Sequence, residues 1–390
     1  MVVIAAVLGT TYLGNAFQAS NSVSNVLFEL LAAGALSAVL VPSFVDLLRA
    51  GEERRVEEVA GGILSIALVG LGVVSLLGIL FAPQVARLLT TGVDPSVAAD
   101  QRELVTFLLR FFIPQVMLYA VGAVTTAVLH ARRSFALVAI APIGNTLVLV
   151  AALLAFRSMA GDAPGFDLTT GERLCLALGG TLGVAAFVGV PALGLRVRGV
   201  RLRLGLRRAG ADHDVRRLLR LSGWAALQHA GMGILLAGAL ISSGGVAGGV
   251  VAYQLAMVVF LAPYGIVAQP IHTAVLPRLA ADVSARDDAA LHTSLRWALR
   301  AVTTSTLPVG ALLVALSLPI MRTLAFGEAR QGSGPELLGG ALLGLAIGVP
   351  AYGSFLLLTR AGYALGDSRS PALASVACST AGAAGMIAAA

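Results

Sequence analysis

Lysine is absent from this 390-residue chain, and all 27 basic residues are arginine, a compositional habit that carries no mechanism of its own. Charge of either sign is scarce at 12%, against about a quarter of residues in soluble domains. Hydrophobic residues make up 57% and the mean hydropathy is +0.89. These values exclude a soluble domain and predict an all-α polytopic membrane protein. The net charge of +7 does not imply nucleic acid, because the arginines fall in short loops between apolar spans and form no basic stripe interleaved with aromatics. Cysteine is limited to Cys175 and Cys378, both inside apolar spans, which excludes a disulfide framework and a cysteine metal site. There is no P-loop, no metal-spaced His/Cys cluster and no grouping of catalytic carboxylates. Asp287 and Asp288 adjoin Arg286 and read as a solvated loop. The expectation is a chain that is not an enzyme and uses no metal, cofactor or nucleotide.

What is present is a series of apolar runs. Spans are expected before Leu8 (span 1, partial) and at about 14–44, 59–82, 104–130, 135–156, 173–195, 222–243, 250–277, 297–319, 337–362 and 371 to the end (spans 2 to 11). Loops after even-numbered spans hold twenty arginines and loops after odd-numbered spans six, which places the even loops in the cytoplasm. Both ends stop within apolar sequence, so the chain reads as truncated at each end.

Strings repeat at a spacing of about 235 residues. AVLVPSFVDLLRAGEE from Ala38 is similar to AVLPRLAADVSARDD from Ala274, Pro114 pairs with Pro350, and LHARRSFAL from Leu129 pairs with LGDSRSPAL from Leu365. Spans 2 to 5 therefore recur as spans 8 to 11. The expected architecture is two parallel-repeat six-helix lobes, the second incomplete: residues 1–195, a basic cytoplasmic linker at 196–221, and residues 222–390. Parallel repeats are a transporter architecture with the site near the membrane midplane.

Asn15 to Pro42 is the most polar membrane-depth stretch. Asn15, Gln18, Ser20, Asn21, Ser22, Ser24 and Asn25 occupy its first half and Glu29 follows near the expected midplane. Polar groups at that depth face a bundle interior or an aqueous cavity, so this stretch reads as one wall of a polar cavity. Glu29 is either a coupling or substrate-positioning carboxylate or a hydrogen-bonded structural one. Arg110, four residues before Pro114, either holds a phosphate through its guanidinium fork or snorkels to the interface. Pro114, Pro142, Pro263, Pro270 and Pro350 should kink their helices and free carbonyls for neighbours to satisfy. Asn145, Gln228, His229, Gln254, Gln269 and His272 are mid-span polar groups, each either interhelical glue or a ligand contact.

In order along the chain, NAF at Asn15, SNVLFELL at Ser24, GALS at Gly34, RFFIPQ at Arg110, LHARRSF at Leu129, APIGN at Ala141, PYGIVA at Pro263, AVLPRL at Ala274 and YALGDSRSPA at Tyr363 resemble strings of the MurJ/MviN lipid II flippases, members of the MATE-like exporter superfamily, in their actinobacterial form. The resemblance implies a multi-pass protein of the bacterial plasma membrane. Such a protein moves undecaprenyl-pyrophosphate-linked peptidoglycan precursor to the outer leaflet by alternating access around a cationic cavity, without nucleotide hydrolysis. It implies cavity roles for Arg110, Asn15, Asn21, Asn25, Glu29, Asn145 and Gln269, with Glu29 in coupling. Its partners would be the lipid-linked precursor, membrane lipids and cell-wall or division proteins at the cytoplasmic loops. The chain departs from the pattern at Asn15, where an acid is expected, at Ser24 in place of proline, and at Phe28 and Glu29 in place of an Arg-Arg pair. A transporter of another lipid-linked glycan or amphiphile, or a transport-inactive scaffold acting through Arg196 to Arg220, fits the same pattern.

Overall fold

The structure, a computed structural model, describes residues 1–28, 34–162, 164–200, 202–205 and 223–389. Among them every regular element is helical. The first half holds α1 (Val2–Leu8), α2 (Tyr12–Phe28), α3 (Gly34–Arg49), α4 (Glu53–Leu80), α5 (Ala82–Leu89), α6 (Ala98–Phe112), α7 (Gln115–Ala131), α8 (Phe135–Ala160) and α9 (Thr170–Val197). The second holds α10 (Gly223–Gly244), α11 (Gly249–Pro263), a π-helical turn (Tyr264–Ala268), α12 (Gln269–Ser284), α13 (Asp288–Ala315), α14 (Ser317–Leu324), a 3-10 turn (Gly327–Arg330), α15 (Gly334–Ala346), α16 (Val349–Ala364) and α17 (Arg369–Ala389). Among the described residues eight helical runs are long and apolar enough to cross a membrane, and nine if α15 and α16, bent by 47°, form one span. These nine correspond to spans 3 to 11. Span 2 is represented by α2 and α3, and Glu29 lies outside the described residues, as does most of the basic stretch after Arg203.

The repeat is written in the helix boundaries. α3 and α12 are each 16 residues long, α4 and α13 each 28, and α5 and α14 each 8. Within each pair the starts are 235 residues apart. The next pair, α6 and α15, ends at a break that precedes α7 and α16, and α8 and α17 follow. Local chemistry sets these breaks. Pro114 has no N–H to continue the α6 ladder, and Gly348 and Pro350 flank the matching break before α16. Asp287 accepts a bond from Ala290 N–H at 2.9 Å to start α13, while Thr169 and Glu172 form a reciprocal capping box on α9. Asp367 accepts from the Arg369 and Ser370 N–H groups at 3.0 Å to start α17, and these bonds, that from the Ser370 side chain first, hold its carboxyl below the usual carboxylate range. A depressed pKa means that this cap contributes above the ordinary carboxylate pKa and is lost as pH falls through the lowered one.

Packing groups the described chain into two compact units, Met1–Asn15 with Val246–Ala374 and Ala16–Gly245 with Ser375–Ala390. This grouping follows internal contacts, whereas the two lobes follow kinship between repeated strings, so the lobe boundaries stay a proposal. In the unit that includes α3 to α10, Phe44, Val56, Ile63, Val116, Val124 and Leu129 bring α3, α4 and α7 into one core. In the other, Leu255, Met321 and Leu342 join α11, α14 and α15, and Val275, Val302 and Leu357 join α12, α13 and α16.

Residues after α9 were expected only as a linker. Residues 202–205 lie against α4: Arg203 N–H donates to the Glu57 carbonyl at 3.3 Å and Gly205 N–H to Ser65 Oγ at 3.0 Å. A Cβ on Gly61 would lie 2.2 Å from the Arg203 carbonyl oxygen. Gly61→Leu is expected to lift this strap from α4 and cost about 1–2 kcal/mol, since two hydrogen bonds are released while the helices can stay packed. Faster protease cleavage after Arg203, with the melting temperature of the core little changed, would register it. Unchanged cleavage would mean that the strap does not depend on Gly61.

Candidate functional site

The polar half of α2 divides into two sets. Gln18, Ser20, Ser22 and Ser24 are buried. Ser20 Oγ donates to the Ala16 carbonyl at 2.6 Å, and Gln18 Nε2 donates to Ser22 Oγ at 3.3 Å. Ser24 Oγ lies 3.2 Å from Gln115 Oε1, and Gln115 Nε2 donates to Thr181 Oγ1 at 3.1 Å. Apart from Gln18 Oε1, which has no partner among the described residues, these groups are held by protein partners and correct the expectation that the whole polar half lines a cavity. Asn21 and Asn25, one turn apart, are half-buried, and their side chains make no hydrogen bond to a described residue. They are the α2 amides left available for a ligand.

Arg110 lies in the last turn of α6, exposed, with no carboxylate within 4 Å among the described residues. Pro114, four residues on, cannot donate to the Arg110 carbonyl. The freed end of α6 is met instead from α9, where Thr181 Oγ1 lies 3.3 Å from the Phe111 carbonyl. α6 also packs on α2 through Phe17 and Phe112, whose rings lie 5.8 Å apart edge to face. No hydrogen bond joins Arg110 to Asn21, Asn25 or Asn145. Asn145 serves a different contact: it is half-buried on α8 with its Oδ1 only 2.6 Å from where a Gly183 Cβ would stand on α9. Beside α2 and α7 lies a cavity of about 300 Å³ whose wall includes Phe28, Tyr119, Thr126, His130 and Phe187.

In the other unit Asn15 is fully buried and engaged at both ends. Its Nδ2 donates to the Val246 carbonyl at 2.7 Å, and its Oδ1 accepts from Val250 N–H at 2.9 Å. It therefore caps α11 from a distance. Gln269, half-buried at the start of α12, accepts at Oε1 from Tyr264 Oη at 2.7 Å and from Arg360 Nη2 at 3.0 Å. His272, fully buried, stands edge to face with Tyr264 at 5.6 Å.

Residues 4–388 match the profile of the family described as "Lipid II flippase MurJ". The chain belongs to this family. It is 28% identical over 375 residues to the probable lipid II flippase MurJ of Rhizobium tropici, spanning 94% of this chain and 67% of that one. It is 22% identical over 368 residues to the probable MurJ of Rickettsia prowazekii, spanning 94% and 70%. Among solved structures, a lipid II flippase MurJ in an inward closed conformation aligns with a TM-score of 0.72 at 17% identity, covering 97% of this chain and 75% of that one. An inward-facing MATE family multidrug transporter aligns with a TM-score of 0.67 at 15% identity, covering 97% and 82%. These two likenesses establish the fold, a MATE-like helical membrane protein.

In this MurJ-family chain the strings that carried the resemblance mark element junctions. RFFIPQ is the α6/α7 break, and LHARRSF the α7/α8 turn with Arg133 at φ 56°. PYGIVA is the π-helical turn, and YALGDSRSPA the α16/α17 turn with Gly366 at φ 76°. Gln115, Thr181, Tyr264 and Arg360 were not legible as site residues. Gln115 is visible only as the residue after a kink proline, and Arg360 only as one more arginine near a span end.

Proposed function

We propose that this MurJ-family chain carries lipid II, the undecaprenyl-pyrophosphate-linked peptidoglycan precursor, from the cytoplasmic to the outer leaflet by alternating access. The observation that carries the reading is the family match over residues 4–388. The chemistry agrees with it. A chain of apolar spans retains an uncompensated Arg110 and two half-buried amides, Asn21 and Asn25, suited to an oxyanion and its polar headgroup. In the sequence Glu29 continues the Asn21, Asn25 series at the same four-residue step, and it is the coupling acid in this reading. The cargo is moved without a bond being made or broken.

The test is depletion of a bacterial host's own flippase with this chain supplied in its place, scored by accessibility of lipid II at the outer leaflet. Rescue is expected, and a membrane-inserted protein that leaves lipid II in the cytoplasmic leaflet would reject the reading. Arg110→Ala, at equal expression, is expected to lower the rate about tenfold by removing a charge-assisted contact to phosphate. An unchanged rate would take Arg110 out of the pathway.

A further inference from the structure

Five described arginines are half-buried: Arg55, Arg132, Arg157, Arg173 and Arg360. The first four each have a carboxylate within 4 Å, from Glu58, Glu53, Asp162 and Glu103. Arg360 has none among the described residues. It lies on α16 within an apolar bundle, where an unpaired cation is costly unless something compensates it. Neutral acceptors fix its position: Nη2 donates to Gln269 Oε1 at 3.0 Å and to Tyr264 Oη at 3.3 Å. The hydrogens of Nη1 and Nε, on different sides of the guanidinium, have no acceptor among the described residues.

The backbone is shaped to make this holder. Tyr264 and Gln269 are five residues apart, a separation that in an α-helix turns the two side chains about 140° from each other. The π-helical turn at Tyr264–Ala268 widens that loop, with Gln269 N–H bonded to the Tyr264 carbonyl, and brings i and i+5 onto one face. Tyr264 Oη and Gln269 Oε1 then meet at 2.7 Å and receive Arg360 together. Pro263 and Pro270 flank the turn. Against the Tyr264 ring lies His272, 0% exposed, and neither of its nitrogens has a hydrogen-bond partner, the nearby Gly353 carbonyl falling outside bonding geometry. A fully buried imidazole left unengaged beside an unpaired guanidinium is a polar surplus that a core selected only for packing would not keep.

We propose that Arg360, held by Tyr264 and Gln269 at the π-helical turn, is a receptor for a phosphate-class oxyanion, bound through the N–H groups of Nη1 and Nε that its holders leave open. These N–H groups make charge-assisted hydrogen bonds to phosphate oxygens. The chemistry of the site stands without the flippase reading, and only assignment of its oxyanion to the cargo rests on that reading.

The test uses the whole chain in phosphatidylcholine nanodiscs. Phenylglyoxal modifies free guanidinium groups, and its rate at Arg360 is followed by mass spectrometry with and without inorganic pyrophosphate, which requires no variant. Slower modification in pyrophosphate is expected, and an unchanged rate overturns the proposal. Arg360→Gln is expected to weaken pyrophosphate binding by about tenfold or more. Tyr264→Phe, which keeps the ring and removes the hydroxyl, is expected to weaken it several-fold with an unchanged melting temperature. Equal binding by wild type and Tyr264→Phe would overturn the holder role. Two further arms find the source: undecaprenyl pyrophosphate in the same nanodiscs, and phosphatidylglycerol nanodiscs with nothing added. Protection in the first assigns the oxyanion to the cargo, and in the second alone to a lipid headgroup. Lipid II rescue that fails while Arg360 is protected rejects the flippase reading alone, and rescue with no protection rejects this site alone.

Discussion

Gly248→Val is expected to prevent the unit formed by Met1–Asn15 and Val246–Ala374 from folding. Gly248 is the N-cap of α11 at φ 74° and ψ 0°, a left-handed conformation that costs a side-chain-bearing residue about 1–2 kcal/mol. A Cβ there would also lie 2.4 Å from the Thr10 carbonyl carbon and 2.5 Å from its Cα. Thr10 cannot retreat. Its Oγ1 stands 2.8 Å from where a Gly334 Cβ would be, and the turn that carries it is tied down by Thr11, whose Oγ1 donates to the Leu8 carbonyl at 2.7 Å and accepts from Gly14 N–H at 3.1 Å. Overpacking between fixed backbones adds about 1–3 kcal/mol or more, for a total near 3–5 kcal/mol, a large part of a domain's stability. Gly161→Ala shows backbone strain without a clash, because Gly161 has φ 76° and ψ −162°, a region open essentially to glycine alone, with nothing within 4 Å of its Cβ position. It should cost about 1–3 kcal/mol. Size-exclusion profiles and melting curves in detergent would show Gly161→Ala slightly lowered and Gly248→Val aggregated. A monodisperse Gly248→Val with wild-type melting would mean that the turn does not rest on Thr10.

This contrast marks what the sequence could disclose. The spans at about 222–243 and 250–277 left a turn between them, but the residue that makes Gly248 obligatory in that turn lies more than two hundred positions away at Thr10. Spans 3 to 11 were legible because crossing a membrane demands a long apolar run, a property of composition that neighbours cannot override. α5 and α14 were not: eight residues are too few for a hydropathy window, so Arg87 and Arg322 read as loop charges. The repeat was legible through prolines and turn strings, since those residues set the breaks. Polar residues of α2 announced themselves, yet which of them face protein was decided by Gln115, 91 residues from Ser24. Arg360 was hidden most completely, because the π-helical turn that shifts the face of α12 has no signature in helical periodicity. Glu29 lies outside the described residues, and its role stays with the proposed function.

Asn15→Leu is expected to destabilise the same unit by about 2–4 kcal/mol. Asn15 is 0% exposed, and the substitution leaves the Val246 carbonyl and the Val250 N–H unpartnered in a buried place, each at about 1–3 kcal/mol. Asn15→Asp is the more instructive change, because the resemblance leads one to expect an acid at this position. A carboxylate keeps the acceptor for Val250 N–H and favours the start of α11 by about 0.3–1 kcal/mol. It loses the donor, however, and sets an oxygen where Nδ2 now lies, 2.7 Å from the Val246 carbonyl oxygen. Two acceptors at that distance repel, so Asn15→Asp should fall at least as far as Asn15→Leu. Asparagine suits this geometry, since its amide offers one donor and one acceptor side by side without having to take up a proton. The departure from the family pattern at Asn15 thus follows from how α2 meets α11 in this chain and places Asn15 among the groups that hold the bundle. The measurement is melting temperature beside transport per folded molecule: Asn15→Leu should lower the first and spare the second, and Arg110→Ala should do the reverse. Loss of transport by Asn15→Leu at unchanged melting would return Asn15 to the cavity.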